Sequence, residues 1–112
     1  MFITVADLLD YLRVTFSPDS SVSFDQRFQA IRTEPFLILD DLGSKSTSPW
    51  AQEKLFQILD YRYVARLPTV ITTATPIEKL NERVQSRLLD ERRCLIFAIT
   101  AAGFSNRMKR GR

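Results

Sequence analysis

The stretch FLILDDLG, residues 36–43, runs from four apolar residues directly into two adjacent aspartates, Asp40 and Asp41. If the apolar run is a buried strand of a parallel sheet, both carboxylates lie beyond its carboxyl end, where α/β proteins bind their ligands. A first carboxylate there can hold Mg²⁺, which prefers oxygen ligands. A second can orient or deprotonate a water aimed at a phosphorus atom. The pattern favours phosphate chemistry over its alternative, a turn with one capping and one solvated aspartate.

Two further groups of polar residues could complete such a site. The stretch PTVITTAT, residues 68–75, reads as a strand that ends in hydroxyl residues, although threonine favours strands in general. A hydroxyl at that end, one strand over, could bind the attacking water or a terminal phosphate. Arg83 and Arg87 stand four residues apart on one face of a predicted helix, and two parallel guanidinium groups suit a phosphate. The alternative is a solvated helix in which Arg87 pairs with Glu91.

Composition excludes several other kinds of chemistry. The 112 residues contain no histidine, which excludes Ser-His-Asp and Cys-His catalysis and the usual zinc sites. Cys94 is the single cysteine, so no internal disulfide can form, and its apolar surroundings predict a buried, inert thiol.

Charge and hydropathy indicate a cytosolic protein with no membrane span. The apolar runs reach about six residues where a membrane helix needs about 20, and the sequence starts without the features of a secretory signal. The net charge of +3 comes from the last eight residues, which hold four basic residues and no acid. Removing those four from the 16 basic residues leaves 12 against 13 acidic ones. A basic tail of this kind can contact a phosphate backbone or simply be solvated.

Hydrophobic spacing predicts alternating strands and helices. Val5, Leu8, Leu9 and Leu12 fall at i, i+3, i+4 and i+7, the pattern of one helix face. The predicted strands are residues 1–4, 36–39, 67–73 and 94–99; the predicted helices begin at residues 5, 23, 49 and 76, the last with a break near 81. Because the strands read as apolar runs, we expect a mostly parallel sheet with helices on both faces, a three-layer α/β/α fold.

Taken together, these segments resemble the AAA+ ATPases of the DnaC/DnaI helicase-loader type and the related IstB ATPases. The resemblance extends over about residues 2–97. The matching phrases within it are FITVADLLDYLR, PFLILDDLGSKSTSPWAQEKLFQILDYRY, LPTVITTAT and ERVQSRLLD. The resemblance implies a P-loop NTPase core, ATP and Mg²⁺ as cofactors, a replicative helicase as partner, and single-stranded DNA as a further possible ligand.

The resemblance also implies a role for each candidate residue. Asp40 would be the Mg²⁺-associated residue of the Walker B strand, and Asp41 the acid that positions water. Arg87 would be the arginine finger that reaches the ATP of a neighbouring subunit, with Arg83 near the same interface. The family usually has an asparagine where this sequence has Ala74, so Thr73 is the remaining candidate for the water-sensing contact.

The main departure from the family is that the sequence contains no P-loop. The motif G-x-x-x-x-G-K-[ST] is absent, since none of the three glycines precedes Lys-Ser or Lys-Thr. We therefore expect a partial AAA+ core over residues 1–104, without the P-loop strand, followed by a basic tail over 105–112. Backbone N–H groups around the phosphates are what binds ATP in such proteins, so the chain alone should be inactive.

Two functions follow from this departure. The first is the C-terminal part of an ATP-dependent helicase loader, which another AAA+ subunit or a second copy would complete. The second is a non-catalytic module that supplies Arg87 in trans or binds a partner or nucleic acid. A phospho-acceptor domain would also cluster acids at strand ends, but it needs a lysine near residues 99–100, which is absent.

Overall fold

Apolar runs of three or four residues form the strands of a parallel sheet, and the computed structural model describes residues 1–43, 48–90 and 92. The three strands of this part lie in the order β1-β2-β3, with both pairs parallel. They are β1, Phe2–Thr4; β2, Leu37–Asp40; and β3, Thr69–Ile71. The α-helices are α1, Val5–Arg13; α2, Phe24–Arg32; α3, Pro49–Ala65; and α4, Glu82–Leu88. The α/β class and the parallel sheet are confirmed.

A hydroxyl residue starts each of the first three helices. Thr4, Ser23 and Ser48 each accept the backbone N–H three residues on, at 3.1 or 3.2 Å. Such a cap satisfies one of the donors that a helix start leaves unpaired. At Ser23 the side chain of Gln26 returns the bond and completes a capping box. Pro49 occupies the first turn of α3, where its missing N–H costs nothing.

The core lies on one face of the sheet. Leu37 and Leu39 of β2 are fully buried, whereas Ile38 and Asp40 between and after them are half-buried. All four helices contribute to the same apolar cluster as the two leucines. Its buried members are Val5, Leu8, Leu9, Leu12, Phe28, Ile31, Leu37, Leu39, Leu42, Ala51, Leu55, Ile58, Leu59 and Val84. The four predicted inward residues of α1 are all among them.

The opposite face of the sheet carries a row of apolar side chains outside that core. The strand register aligns Phe2 with Ile38 and Ile38 with Val70, so the three side chains point the same way. Phe2 and Val70 are exposed and Ile38 is half-buried. The sequence predicts helices on both faces, and the described helices form the layer on the Leu39 face.

Arg62 of α3 is buried to 1% exposure within this fold. Its guanidinium donates to the carbonyl oxygens of Arg32 at 3.0 Å and Glu34 at 2.6 Å, just after α2 ends. It also donates to the carbonyl of Pro68 at 2.8 Å and to the Thr69 hydroxyl at 2.8 Å, at the start of β3. Burial lowers its pKa from the ordinary value. One side chain thus ties α2, α3 and β3 together and caps the negative end of the α2 dipole.

Some boundaries differ from the predicted ones. Strand β2 begins one residue later and includes Asp40, because Phe36 precedes the first paired residue. The helical stretch predicted from residue 76 is a 3₁₀ turn, Ile77–Lys79, followed by the predicted break and then α4 from Glu82. The predicted strand 94–99 and the tail 105–112 lie outside the described residues. None of the helices described is both long and apolar enough to cross a membrane.

Candidate functional site

The acid pair stands at the carboxyl end of β2, and one hydroxyl group binds both residues. Thr72, which follows β3, donates its hydroxyl to the Asp40 carboxylate and accepts the backbone N–H of Asp41 at 2.9 Å. Because the Thr72 oxygen accepts the backbone N–H of Asp41, the hydroxyl proton of Thr72 is directed to the carboxylate of Asp40. Thr73 is the candidate hydroxyl named from the sequence, whereas the hydroxyl that contacts the acid pair is that of Thr72.

The neighbouring threonines bind the backbone of the turn that follows Asp41. Thr73 donates its hydroxyl to the Leu42 carbonyl at 2.5 Å, and Thr75 donates to the Gly43 carbonyl at 3.0 Å. The predicted role of Thr73 toward water or phosphate stays a prediction, and in this structure its proton is engaged by backbone. The segment after β3 therefore fixes the path of the chain from Asp41 to Gly43.

Two residues of this turn have left-handed backbone. Asp41 has φ 67° and Gly43 has φ 81°. Aspartate adopts this conformation more readily than most residues, since its short polar side chain bonds locally. A Cβ at Gly43 would lie 3.0 Å from Thr75 Oγ1 and 3.1 Å from Leu80 Cδ2, so the close approach also needs glycine.

The donors at this edge fit a magnesium ion that arrives with a nucleotide. Mg²⁺ commonly takes one or two carboxylates from the protein and its remaining ligands from water and phosphates. Asp40 and Asp41 are carboxylates of this kind. Within the described ranges, no group of three or more acidic, histidine or cysteine side chains could hold a metal without such help.

Arg83 of α4 is held by α3. Its guanidinium forms an ion pair with Glu53 and lies 4.0 Å from the centre of the Phe56 ring. The hydrogen bond from Arg83 lowers the pKa of Glu53, and the same bond raises the pKa of Arg83. Both side chains remain partly exposed.

Arg87 is also held by α3, one helical turn further along α4. Its Nε donates to Asp60 Oδ1 at 2.8 Å. The guanidinium lies near two rings, 5.6 Å from the centre of Phe56 and 5.3 Å from that of Tyr63. The observed acidic partner is Asp60; the alternative partner, Glu91, lies outside the described residues. The two predicted arginines therefore share one face, as the i, i+4 spacing indicates.

Aromatic and basic side chains, some exposed and some half-buried, form a cluster that reaches the groove beside Asp41 through Arg13. Phe16 is 60% exposed and packs against Phe24 and Trp50, with ring centres 5.7 and 5.5 Å away. Arg13 lies 5.5 Å from the centre of the Trp50 ring, and Lys54 lies 5.3 Å from that of Phe24. We call these five residues the aromatic–basic patch. The sequence reasoning did not find it, because its members come from three separate segments.

A groove of about 450 Å³ connects this patch with the acid pair. Arg13 and Asp10 line it from α1, Asp41 lines it from the turn after β2, and Lys79 lines it from the segment before α4. The acid pair, the threonine segment and the patch thus surround the carboxyl edge of the sheet, while Arg83 and Arg87 belong to the α3–α4 face.

Comparison with known proteins identifies the family to which the chain is similar. Residues 1–92 match the family described as IstB-like ATP binding protein. The replicative helicase loader DnaC of Escherichia coli K12 is 27% identical over 93 residues, which are 83% of this chain and 38% of the relative. The DnaC of Shigella flexneri aligns with the same figures. The chain thus spans well under half the length of these relatives.

Two solved structures have the same fold. A crystal structure of the DnaC helicase loader superposes with a TM-score of 0.70 and 24% identity, over 88% of this chain and 60% of that one. A crystal structure of a DNA replication initiation factor gives 0.69 and 17% identity, over 86% of this chain and 29% of that one. At such identities the superpositions show the fold alone.

Proposed function

The chain belongs to the family of IstB-like ATP binding proteins, and on that premise we propose that it carries the acid and arginine half of an ATP site. Asp40 would hold Mg²⁺, Asp41 would position the attacking water, and Arg83 and Arg87 would bind phosphate of a neighbouring subunit. When bound, Mg²⁺ would neutralise charge on the phosphates. The partner would be a replicative helicase, as the name of the DnaC relatives states for them, and we propose that the chain acts in the cytosol.

The observation that carries this proposal is the arrangement at the end of β2. Thr72 bonds to the side chain of Asp40 and to the backbone of Asp41, so the Asp40 carboxylate and the backbone that carries the Asp41 carboxylate are held before any ligand arrives. Positioned groups of this kind are what phosphoryl transfer requires, because little covalent chemistry is left for the protein to do. In the alternative, a turn with solvated aspartates, Asp40 and Asp41 would not both need a hydrogen bond to the Thr72 hydroxyl.

The arginine pair supports an action in trans. The 112 residues contain no P-loop, so the phosphate cradle would be supplied by residues outside this sequence, for example in a second subunit or a complete AAA+ partner. For such a role, Arg87 does not require that its own chain bind a nucleotide. The role therefore also fits the alternative function, a non-catalytic module that supplies Arg87 to another ATPase. The domain division, with a core over 1–104 and a basic tail over 105–112, is part of this proposal.

Calorimetry with Mg-ATP on the purified chain tests the acid half. We expect no saturable heat up to about 1 mM ATP, because backbone N–H groups that cradle phosphates are missing from the sequence. A second titration adds a separate polypeptide with a P-loop, taken from the part of the E. coli relative outside the aligned 93 residues. We expect binding in that mixture, and no binding when Asp40 is replaced by alanine. Saturable binding by the chain alone, lost in Asp40→Ala, would contradict the need for a second polypeptide.

A second function, binding of single-stranded DNA, is favoured by the aromatic–basic patch. Proteins that bind single strands combine stacking rings with cations that follow the backbone. Phe16 offers an exposed ring, and Arg13 and Lys54 lie beside the rings of Trp50 and Phe24. The groove leads from Arg13 to Asp41, so a strand on the patch would lie next to the proposed ATP site.

Phe16→Ala should weaken binding of an unlabelled oligothymidylate about tenfold, because stacking on one ring contributes about 1–3 kcal/mol per base. Trp50 is the single tryptophan of the chain and lies in the patch, so its quenching reports the binding directly. The matched control is Phe36→Ala, which removes an exposed phenylalanine away from the patch. Equal losses in the two variants, or equal affinity for duplex DNA, would contradict a single-strand site here.

A further inference from the structure

The contacts around Arg87 point to a residue that no motif singled out. Glu53, Phe56, Asp60 and Tyr63 recur every three or four residues of α3 and therefore lie on one face of that helix. The α4 arginines meet that face in register: Arg83 pairs with Glu53, and Arg87 pairs with Asp60. The two helices thus carry a regular series of charged and aromatic contacts.

The contact at Asp60 differs from an ordinary surface ion pair in its geometry. Asp60 accepts from Nε, the nitrogen nearest the aliphatic stem, at 2.8 Å. The rings of Phe56 and Tyr63 lie within 5.6 Å of the guanidinium. The side chains of Arg87 and Asp60 are each 34% exposed, so the group is held but still accessible. A hydrogen bond at Nε and two ring contacts restrict the orientations that the guanidinium can take.

We propose that Asp60 is a positioning residue, which presents the Arg87 guanidinium to the phosphate of a neighbouring nucleotide. This inference rests on the proposed role of Arg87 in trans. An arginine that acts on a developing charge gains most when its orientation is set beforehand, because no ordering is then required during the reaction. Asp60 supplies that order through Nε, and Phe56 and Tyr63 restrict the plane of the group.

A complementation assay tests the effect on catalysis. The reporter is the E. coli DnaC relative with the residue aligned to Arg87 replaced by alanine, and the full chain is added to restore the ATP hydrolysis that this replacement removes. Asp60→Ala should lower the restored kcat about fivefold while the KM for ATP stays unchanged. Asp60→Asn keeps an acceptor at the same place and should lose about twofold. A higher kcat in Asp60→Ala would identify a restraining contact instead and would overturn the proposal, as would an unchanged kcat.

The control is Glu82→Gln, which removes one negative charge from α4, at an exposed position outside the Arg87 contacts. This variant should restore hydrolysis as well as the unmodified chain does. A loss equal to that of Asp60→Ala would indicate a general charge effect and would also overturn the proposal.

A spectroscopic measurement separates failure of this inference from failure of the proposed function. The Nε–H resonance of Arg87, assigned by its loss in Arg87→Lys, should exchange slowly with water and shift in Asp60→Ala. If the resonance behaves so but Arg87→Ala restores hydrolysis like the unmodified chain, the trans role of Arg87 is wrong. If Arg87→Ala fails to restore hydrolysis while the Nε–H resonance ignores Asp60→Ala, Arg87 is functional and Asp60 does not position it.

Discussion

Replacing Arg62 with methionine is expected to lower the free energy of unfolding by about 3 kcal/mol, because the partly buried carbonyl oxygens that the guanidinium binds would lose these hydrogen bonds. The guanidinium binds carbonyls after α2 and before β3 at once, and methionine fills a similar volume without any donor. Arg62→Lys should recover part of the loss, since one ammonium group cannot reach both segments.

Urea denaturation followed by Trp50 fluorescence measures this loss, because Trp50 packs in the aromatic–basic patch and changes environment on unfolding. Lys79→Met is the matched control, a cation-to-methionine change at an exposed position, and should change stability by less than about 0.5 kcal/mol. A loss below about 1 kcal/mol in Arg62→Met would mean that water replaces the guanidinium at these carbonyls.

Arg87→Ala is expected to abolish restored hydrolysis in the complementation assay, with a loss of at least about 100-fold in kcat. Arginine fingers contribute about 10³ to 10⁵ in kcat where they have been measured. Arg87→Lys should lose nearly as much, because an ammonium group lacks the planar pair of donors that matches a phosphate.

The control for Arg87 is Arg92→Ala, which removes an arginine side chain that is 91% exposed and follows the same helix. This variant should restore hydrolysis fully. Equal losses in Arg87→Ala and Arg92→Ala would show that net charge, rather than a finger, is responsible. Full restoration by Arg87→Ala would contradict the trans role.

Local patterns predicted much of the fold because the information lies within one or two helical turns. The spacing of Val5, Leu8, Leu9 and Leu12 predicts the inward face of α1, and all four are buried. Ser48 followed by proline predicts the start of α3. Acids after an apolar run predict a strand end at Leu39, one residue before the observed end at Asp40.

Contacts between distant segments could not be predicted in this way. Arg62 reads as a polar residue on an apolar helix face, and nothing near it in sequence identifies the carbonyls of Arg32 and Pro68 as its acceptors. Asp60 and Arg87 are 27 residues apart, so only the packing of α4 on α3 brings them together.

The threonines after β3 illustrate the same limit at single-residue scale. Two adjacent hydroxyls are equivalent in sequence, but side chains along an extended segment alternate in direction. Thr72 therefore meets Asp40, while Thr73 bonds to the Leu42 carbonyl. The strand register decides which threonine reaches the acid, and a shift of one residue would exchange them.

The left-handed backbone at Asp41 has a consequence for any genetic search through this protein. Few substitutions at position 41 are expected to be tolerated, for two separate reasons. The proposed role requires a carboxylate, and the positive φ disfavours most side chains. Alanine changes both together and costs about 1 kcal/mol in this conformation, so its phenotype would confound chemistry with folding. Asparagine tolerates the backbone and removes the charge, whereas glycine tolerates the backbone and removes the side chain. The phenotypes of Asp41→Asn and Asp41→Gly would therefore report on the role of the Asp41 carboxylate, separately from the backbone conformation.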